Sequence, residues 1–387
     1  MSAQHRIALY FHWPFCLAKC PYCDFNSHVR DGIDTAAWRS ALLQDLTHEA
    51  ALLPNAEVGS VFFGGGTPSL MPPGLVAELI DAVGDHWPVA PNCEITLEAN
   101  PSSVEAAKFE SLALAGVNRV SLGVQSFDNA VLRMLGRLHD SAEAIAALEI
   151  AQRSFSRVSF DLIYARPGQS PSDWQTELDH ALSFGTEHLS LYQLTIEPGT
   201  RFATDVRRGE LIPLDDDAAA DMFSLTRDIT SSAGLPAYEI SNHARPGCES
   251  RHNLTYWRYG DYVGVGPGAH GRRAGLATER HRKPENYLAA IAKQGSGLSV
   301  ERALPAREQA EEALMMGLRL AEGIDLAALS DRFAIPADHL VDMRKLAIHQ
   351  ENGLFERAGS RIAVTDRGMP VLDALLGEII ASERLPA

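Results

Sequence analysis

Up to about residue 195, short apolar and β-branched runs alternate with longer amphipathic ones, which restricts the chain to repeated βα units around a parallel sheet. Candidate strands cover 7–13, 58–63, 94–97, 119–124, 158–163 and 188–194, and helical patterns cover 35–53, 73–83, 104–115, 141–154 and 171–184. Right-handed crossovers between consecutive strands make six such units curl into an incomplete barrel more readily than lie flat. The expected fold class is therefore α/β, with a partial (β/α)6 barrel whose chemistry gathers at the C-terminal ends of its strands. Unusual residues do fall there: Gly64-Gly65-Gly66-Thr67-Pro68 after the second strand, Glu98-Ala99-Asn100-Pro101 after the third, Gln125-Ser126-Phe127 after the fourth and Arg166-Pro167-Gly168 after the fifth.

At 387 residues the chain exceeds a barrel of this kind, which takes roughly 250, so a second unit is expected. From 197 to 286 the pattern is irregular and rich in Gly, Pro and aromatics, with HNLTYW at 252–257 and GVGPGAH at 264–270. Helical patterns return over 307–322, 326–333 and 337–350, followed by short strand-like runs around 354–355 and 361–364. Helices followed by a small β-ribbon describe a winged-helix-like appendage. The expected division is a barrel domain over 1–240, a loop-rich connecting region over 241–300 and the appendage over 301–387.

Hydrophobic residues at 45% and charged residues at 22% suit an ordinary globular core. Lys and Arg total 34 against 50 Asp and Glu, a formal charge of −16, which argues against a nucleic-acid partner despite the winged-helix pattern. No uninterrupted apolar run approaches the roughly 18 residues of a membrane span, and the opening MSAQHR leads into a strand rather than an apolar signal core. The expected location is cytoplasmic.

Five cysteines occur, and three of them, Cys16, Cys20 and Cys23, form C-x3-C-x2-C directly after the first strand. Such a loop can wrap three corners of an iron–sulfur cube, leaving one iron open to chelate a small molecule through an amine and a carboxylate. A structural zinc site is the alternative, with His12 or His28 as fourth ligand. Cys93 and Cys248 stand alone and read as small buried hydrophobes. Around the same rim, the glycines at 64–66 let backbone approach a ligand, Glu98 can accept from hydroxyls or pair with an amine, and Arg137 can pair with a carboxylate. Gln125 closes the fourth strand and Asp161 lies late in the fifth.

The cysteine loop resembles that of the radical S-adenosylmethionine superfamily. The longer run YFHWPFCLAKCPYCDFNSH is similar to the branch that contains oxygen-independent coproporphyrinogen III oxidases and HemW-type haem chaperones. The likeness continues through GGGTPS, EANP, GVQSF, DLIYARPGQ and GVGPGAH into the appendage. It implies a [4Fe-4S] cluster on the three cysteines and S-adenosylmethionine held by Tyr10, Gly65, Gly66, Thr67, Glu98, Gln125, Arg137 and Asp161, with Tyr22 packing between cluster and adenine. It also implies a 5′-deoxyadenosyl radical wherever the chemistry of the superfamily is retained.

In the oxidases the loop continues to a further Cys two positions after the third, whereas here Cys23 is followed by Asp24 and Phe25. The HNLTYW run resembles the HNxxYW motif that the chaperone branch associates with haem, and this points to His252 as an axial haem ligand beside flat aromatic faces. His243 and His270 are rivals. The implied function is haem chaperone, with acceptor apoproteins and an electron donor as partners, a homodimer as an assembly, and no residue cast as catalytic. The alternatives are oxidative decarboxylation of coproporphyrinogen III and, more remotely, a haem-responsive DNA-binding regulator.

Overall fold

The computed structural model describes residues 5–30 and 32–380. Residues 1–4 of the opening segment read above as no signal core, Asp31, and residues 381–387 of the appendage lie outside the described residues. Among the described residues no helix is long and apolar enough to cross a membrane.

The six expected strands are present as β1 (Arg6–Trp13), β2 (Glu57–Gly65), β3 (Val89–Ala99), β4 (Arg119–Gln125), β5 (Arg157–Tyr164) and β6 (His188–Gln193). They pair in parallel in that order, joined by helices such as Thr35–Leu52, Pro73–His86, Ser141–Ser154 and Pro171–Ser183. Helix starts follow local chemistry: Asp140 with Glu143, and Ser170 with Asp173, form capping boxes that satisfy otherwise orphaned N–H groups. The helical pattern over 104–115 resolves into two short helices, Ser103–Ala106 and Phe109–Leu114.

Residues 241–300, expected to be loop-rich, instead extend the sheet. β7 (Asn242–Ala244) pairs antiparallel with β6, and β8 (Asp261–Val265) pairs parallel with β1. β9 (His270–Arg273), β10 (Leu276–Arg280) and β11 (Leu298–Ala303) continue it in antiparallel fashion, giving eleven strands. These strands are only three to six residues long, so their period-2 pattern is weak in the sequence.

Side chains on the parallel strands alternate between two environments, as the pleat requires. Ile7, Leu9, Phe11 and Trp13 join Val61, Phe63, Leu97, Leu122, Phe160 and Leu189 in the core beneath the helices. The opposite face carries Tyr10, His12, Ser60, Glu98, Ser121, Asp161 and Ser190, a polar lumen inside the curved sheet.

The appendage contains the helices Ala306–Gly317, Leu326–Phe333, Ala337–Leu340 and Met343–Glu351, and a three-stranded sheet of Ile324–Asp325, Arg361–Val364 and Phe355–Ala358. Its separate core, built on Leu314, Leu329, Phe333, Leu346, Phe355 and Ile362, also takes in Phe223 and Tyr259 from the barrel side.

A fully buried ion network fixes the added strands to the first helix. Arg280 donates to Asp45 at 3.2 Å and to Glu49 at 2.7 Å, Arg273 donates to the other Glu49 oxygen at 2.7 Å, and Tyr287 donates to Asp45 at 2.9 Å. Removing one partner from such a network strands the remaining charges, at a cost of about 3–5 kcal/mol, whereas an exposed pair is worth at most about 1 kcal/mol. Arg280→Ala should therefore lower the urea midpoint sharply, and Arg302→Ala, which breaks the exposed Arg302–Glu308 pair, should barely move it. Equal midpoints for the two variants would show that the buried network does not hold this edge.

Candidate functional site

The C-terminal ends of β1 to β6 surround a cavity of about 630 Å³. Cys16, Cys20 and Cys23 lie along one side of it, on the loop that follows β1. The loop is shaped locally. Phe15–Cys16 pairs with His28–Val29, the Pro14 carbonyl accepts from His28 N–H at 2.6 Å, and Cys23 N–H turns back to Cys20 O at 3.2 Å. Asn26 clamps the loop from outside by donating to the carbonyls of Pro267 and Arg282, both at 2.9 Å. This gives GVGPGAH a structural role: a Cβ at Gly268 would collide with the Asn26 amide, and one at Gly266 with the His12 carbonyl.

All three cysteines are free thiols, as are Cys93 and Cys248. Burial raises the pKa of Cys16 and of Cys23, so iron binding here displaces protons. Thr67 donates to Cys16 Sγ and Arg137 to Cys20 Sγ, each at 3.5 Å, so both sulfurs face polar donors suited to thiolates. Among the described residues no three His, Cys, Asp or Glu side chains gather tightly enough to hold a single metal ion. A cube with one open iron needs three protein thiolates, which this loop supplies, whereas a structural zinc needs four ligands.

Beside the cysteine loop, Gly65 has φ of 113°, where a Cβ would come within 2.6 Å of the His12 ring, and a Cβ on Gly66 would meet the Phe15 carbonyl at 2.7 Å. Only glycine lets this turn lie against the cysteine loop. Gln125, a non-glycine residue at φ 68°, ends β4 in the left-handed region and lines the cavity. Arg137 donates to Asn100 Oδ1 at 2.5 Å and to the Gly123 carbonyl at 2.9 Å, while its Nε is buried without a partner among the described residues. A cation with a spare buried donor at the wall of a cavity fits a carboxylate ligand. Glu98 is pushed up to about 8, first by burial and then by Asp161, whose own pKa burial raises to about 6. These carboxyls, with Gln125, can exchange hydrogen bonds with sugar hydroxyls. Tyr22 lies at the wall within 3.5 Å of Arg137 Nη1.

The structure thus gathers Cys16, Cys20, Cys23, Tyr22, Gly65, Gly66, Thr67, Glu98, Gln125, Arg137 and Asp161 around one cavity. Two expected residues stand elsewhere. Tyr10 faces a second cavity, of about 420 Å³, which shares only its Gly65, Glu98 and Phe25 walls with the first. His252 is not placed as an open axial ligand. It is 2% exposed, its Nδ1 hydrogen-bonds with Ser60 at 3.1 Å, its Nε2 hydrogen-bonds with Tyr256 at 2.7 Å, and its ring stacks on Phe62 at 4.8 Å. Burial lowers its pKa to about 3. The HNLTYW run forms the helix Arg251–Trp257, whose start is held by Glu94 through Ser250 Oγ and His252 N–H. Its far end reaches the appendage, where the Arg319 guanidinium sits 4.9 Å over Trp257 and Arg258 pairs with Glu322.

Sequence reasoning missed Asn100, Glu105 and Arg319. Asn100 links Arg137 to Thr67 and Glu105, and Glu105 accepts from Asn100 N–H at 2.8 Å. EANP was the available signal for Asn100. Arg319 lines the first cavity from the appendage, and no local pattern marks it.

Residues 10–181 match the pattern of the radical SAM superfamily, and residues 304–371 that of the HemN C-terminal domain. The chain is 38% identical to the haem chaperone HemW of Escherichia coli over 97% of this chain and 98% of that protein. It is 38% identical to the haem chaperone HemW of Mycobacterium tuberculosis over 96% of this chain and 94% of the relative. A bovine mitochondrial radical S-adenosyl methionine domain-containing protein 1 is 39% identical over 98% of this chain and 88% of its own. The solved coproporphyrinogen III oxidase HemN of Escherichia coli superposes with a TM-score of 0.81 at 22% identity, covering 97% of this chain and 90% of that one, a likeness of fold.

The Glu98 carboxyl supplies a pH test. It ionises near 4.5 when free and near 8 in the folded chain, so the folded state binds the extra proton between these values. Its contribution to stability is full below the lower value and is lost as pH rises through the upper one. In the cofactor-free protein, Glu98→Gln should escape that loss, opening a stability gap on the order of a few kcal/mol in its favour by about pH 8. Urea curves that fall in parallel for both proteins across this window would contradict the burial-driven shift.

Proposed function

Because the chain belongs to the radical SAM superfamily and, within it, to the family of HemW haem chaperones, we propose that it binds haem and passes it to acceptor apoproteins. The observation that carries this reading is identity of 38% sustained over 97% of the chain and 98% of a relative named as a haem chaperone. The loop agrees with it, since Cys23 is followed by Asp24 and Phe25 where the oxidases carry a further cysteine.

The first cavity fits the superfamily's cofactors. Cys16, Cys20 and Cys23 would hold three irons of a [4Fe-4S] cluster and leave the fourth for S-adenosylmethionine. When bound, this pair supplies one-electron cleavage of a carbon–sulfur bond, chemistry that belongs to the cofactor. The chain's own residues bind and orient it. The unpartnered Arg137 Nε meets a carboxylate, backbone at Gly65 and Gly66 receives the amino-acid end, and Thr67 steadies Cys16. Glu98, Gln125 and Asp161 exchange hydrogen bonds with ribose, and Tyr22 packs near the cluster. An electron donor and a homodimer favoured by cluster loading belong to the same proposal. So does a cytoplasmic setting, since five free thiols suit a reducing compartment.

Four measurements on anaerobically reconstituted protein test it. Haem titration should saturate at one haem per chain, and mixing with an apo-haem protein should transfer it; absence of binding defeats the chaperone reading. Incubation with coproporphyrinogen III and reductant should yield no vinyl product, and its formation would replace the chaperone-only reading with the oxidase. Alanine at Cys16, Cys20 or Cys23 should each abolish retention of the four irons, while alanine at Cys93 or Cys248 should leave iron content unchanged. Light scattering should show a heavier particle after cluster loading, and an unchanged mass removes the dimer.

A further inference from the structure

We infer that haem docks in the second cavity with His270, not His252, as its axial ligand, its face against tyrosine side chains and its propionates toward Arg282. This rests on the haem reading above and assigns its site.

The cavity, about 420 Å³, opens beside the cysteine loop between β1 and the strands that extend the sheet. Tyr10, Tyr256, Tyr262 and Phe25 contribute its aromatic wall. Tyr256 and Tyr262 meet edge to face at 4.4 Å, and Phe25 is 61% exposed, a flat apolar surface at the mouth. An unpaired exposed ring beside a tyrosine-lined hollow suits a porphyrin, which buries two broad apolar faces.

Two histidines line this cavity, and they differ in availability. His12 uses both ring nitrogens, Nδ1 with the Tyr10 hydroxyl at 3.1 Å and Nε2 with the Asn26 carbonyl at 2.9 Å. His270 stands at the start of β9 with its side chain exposed, and no ring hydrogen bond to it is present among the described residues. A free imidazole can give a nitrogen lone pair to ferric iron without breaking any contact within the protein. His252 cannot: it would have to release Ser60 and Tyr256 and leave its stack on Phe62. The HNLTYW helix then has a positioning role, with His252 orienting the Tyr256 hydroxyl and ring that form part of the wall.

Charge complements the ligand. Exposed Arg282 lines the cavity, a cation at its wall in a chain with a formal charge of −16. Haem carries two propionates, which a guanidinium receives by charge-assisted hydrogen bonds. Gly65 and Glu98 are walls of both cavities, so haem would sit directly beside the cofactor.

Ferric haem titrated into reconstituted full-length protein, followed by its Soret band and by electron paramagnetic resonance, tests the assignment. Wild type should give an imidazole-ligated spectrum. His270→Ala should lose that signature and weaken binding by about tenfold or more, and His270→Gly should regain it on addition of free imidazole. Arg282→Ala should weaken binding without altering the spectrum. If His270→Ala reproduces the wild-type spectrum and affinity, or if His252→Asn keeps its cluster yet loses the imidazole signature, the inference is overturned while the chaperone reading stands. If wild type takes up no haem at all, it is the chaperone reading that fails.

Discussion

Strand β1 has to satisfy two environments on alternate residues. Ile7, Leu9, Phe11 and Trp13 anchor the core under the helices, while Tyr10 and His12 point into the polar lumen. Parallel strands covered on both faces by apolar layers normally read as unbroken hydrophobic runs. Here the inner face must instead receive ligands, so each neighbouring strand repeats the same compromise, with Ser60, Glu98, Ser121, Asp161 and Ser190 inward. Every inward polar group needs a partner. Ser121 bonded to Asp161 at 3.1 Å and Ser190 to Asn242 at 2.8 Å show how side chains of the lumen meet that demand among themselves.

The close approach of the second strand to the cysteine loop follows from that geometry. Gly65 and Gly66 bring backbone where any side chain would strike His12 or Phe15. Arg137, fixed by Asn100 and the Gly123 carbonyl, bridges the cysteine side of the cavity to the strand side. The loop is held again from outside by Asn26 against the segment that follows β8. The cysteine loop is thereby positioned by three separate parts of the chain.

Much of this was legible beforehand, for identifiable reasons. The six parallel strands were visible because each carries several strong β-formers between amphipathic helices, and the helix Ser141–Ser154 has its whole capping box within four residues. The sheet extension over 242–303 was not, because its strands are three to six residues long, too short to establish an alternating pattern. Tyr10 was expected among the cofactor residues from the family resemblance. Its inward face is shared by two cavities, however, and strand position does not distinguish them.

The sequence by itself determined the cysteine spacing, the glycine turn and the barrel, because a C-x3-C-x2-C loop, a glycine run and a strand period are local features. Tertiary structure alone decided what HNLTYW does. Ser60 and His252 are 192 positions apart and become partners only when the helix Arg251–Trp257 packs against β2. That packing takes up both imidazole nitrogens, whereas the ring of His270, from a less distinctive run at the rim of a cavity, has no hydrogen bond among the described residues. Whether a histidine can bind iron depends on which of its lone pairs the fold has already engaged, and that is settled by contacts between distant segments rather than by motif.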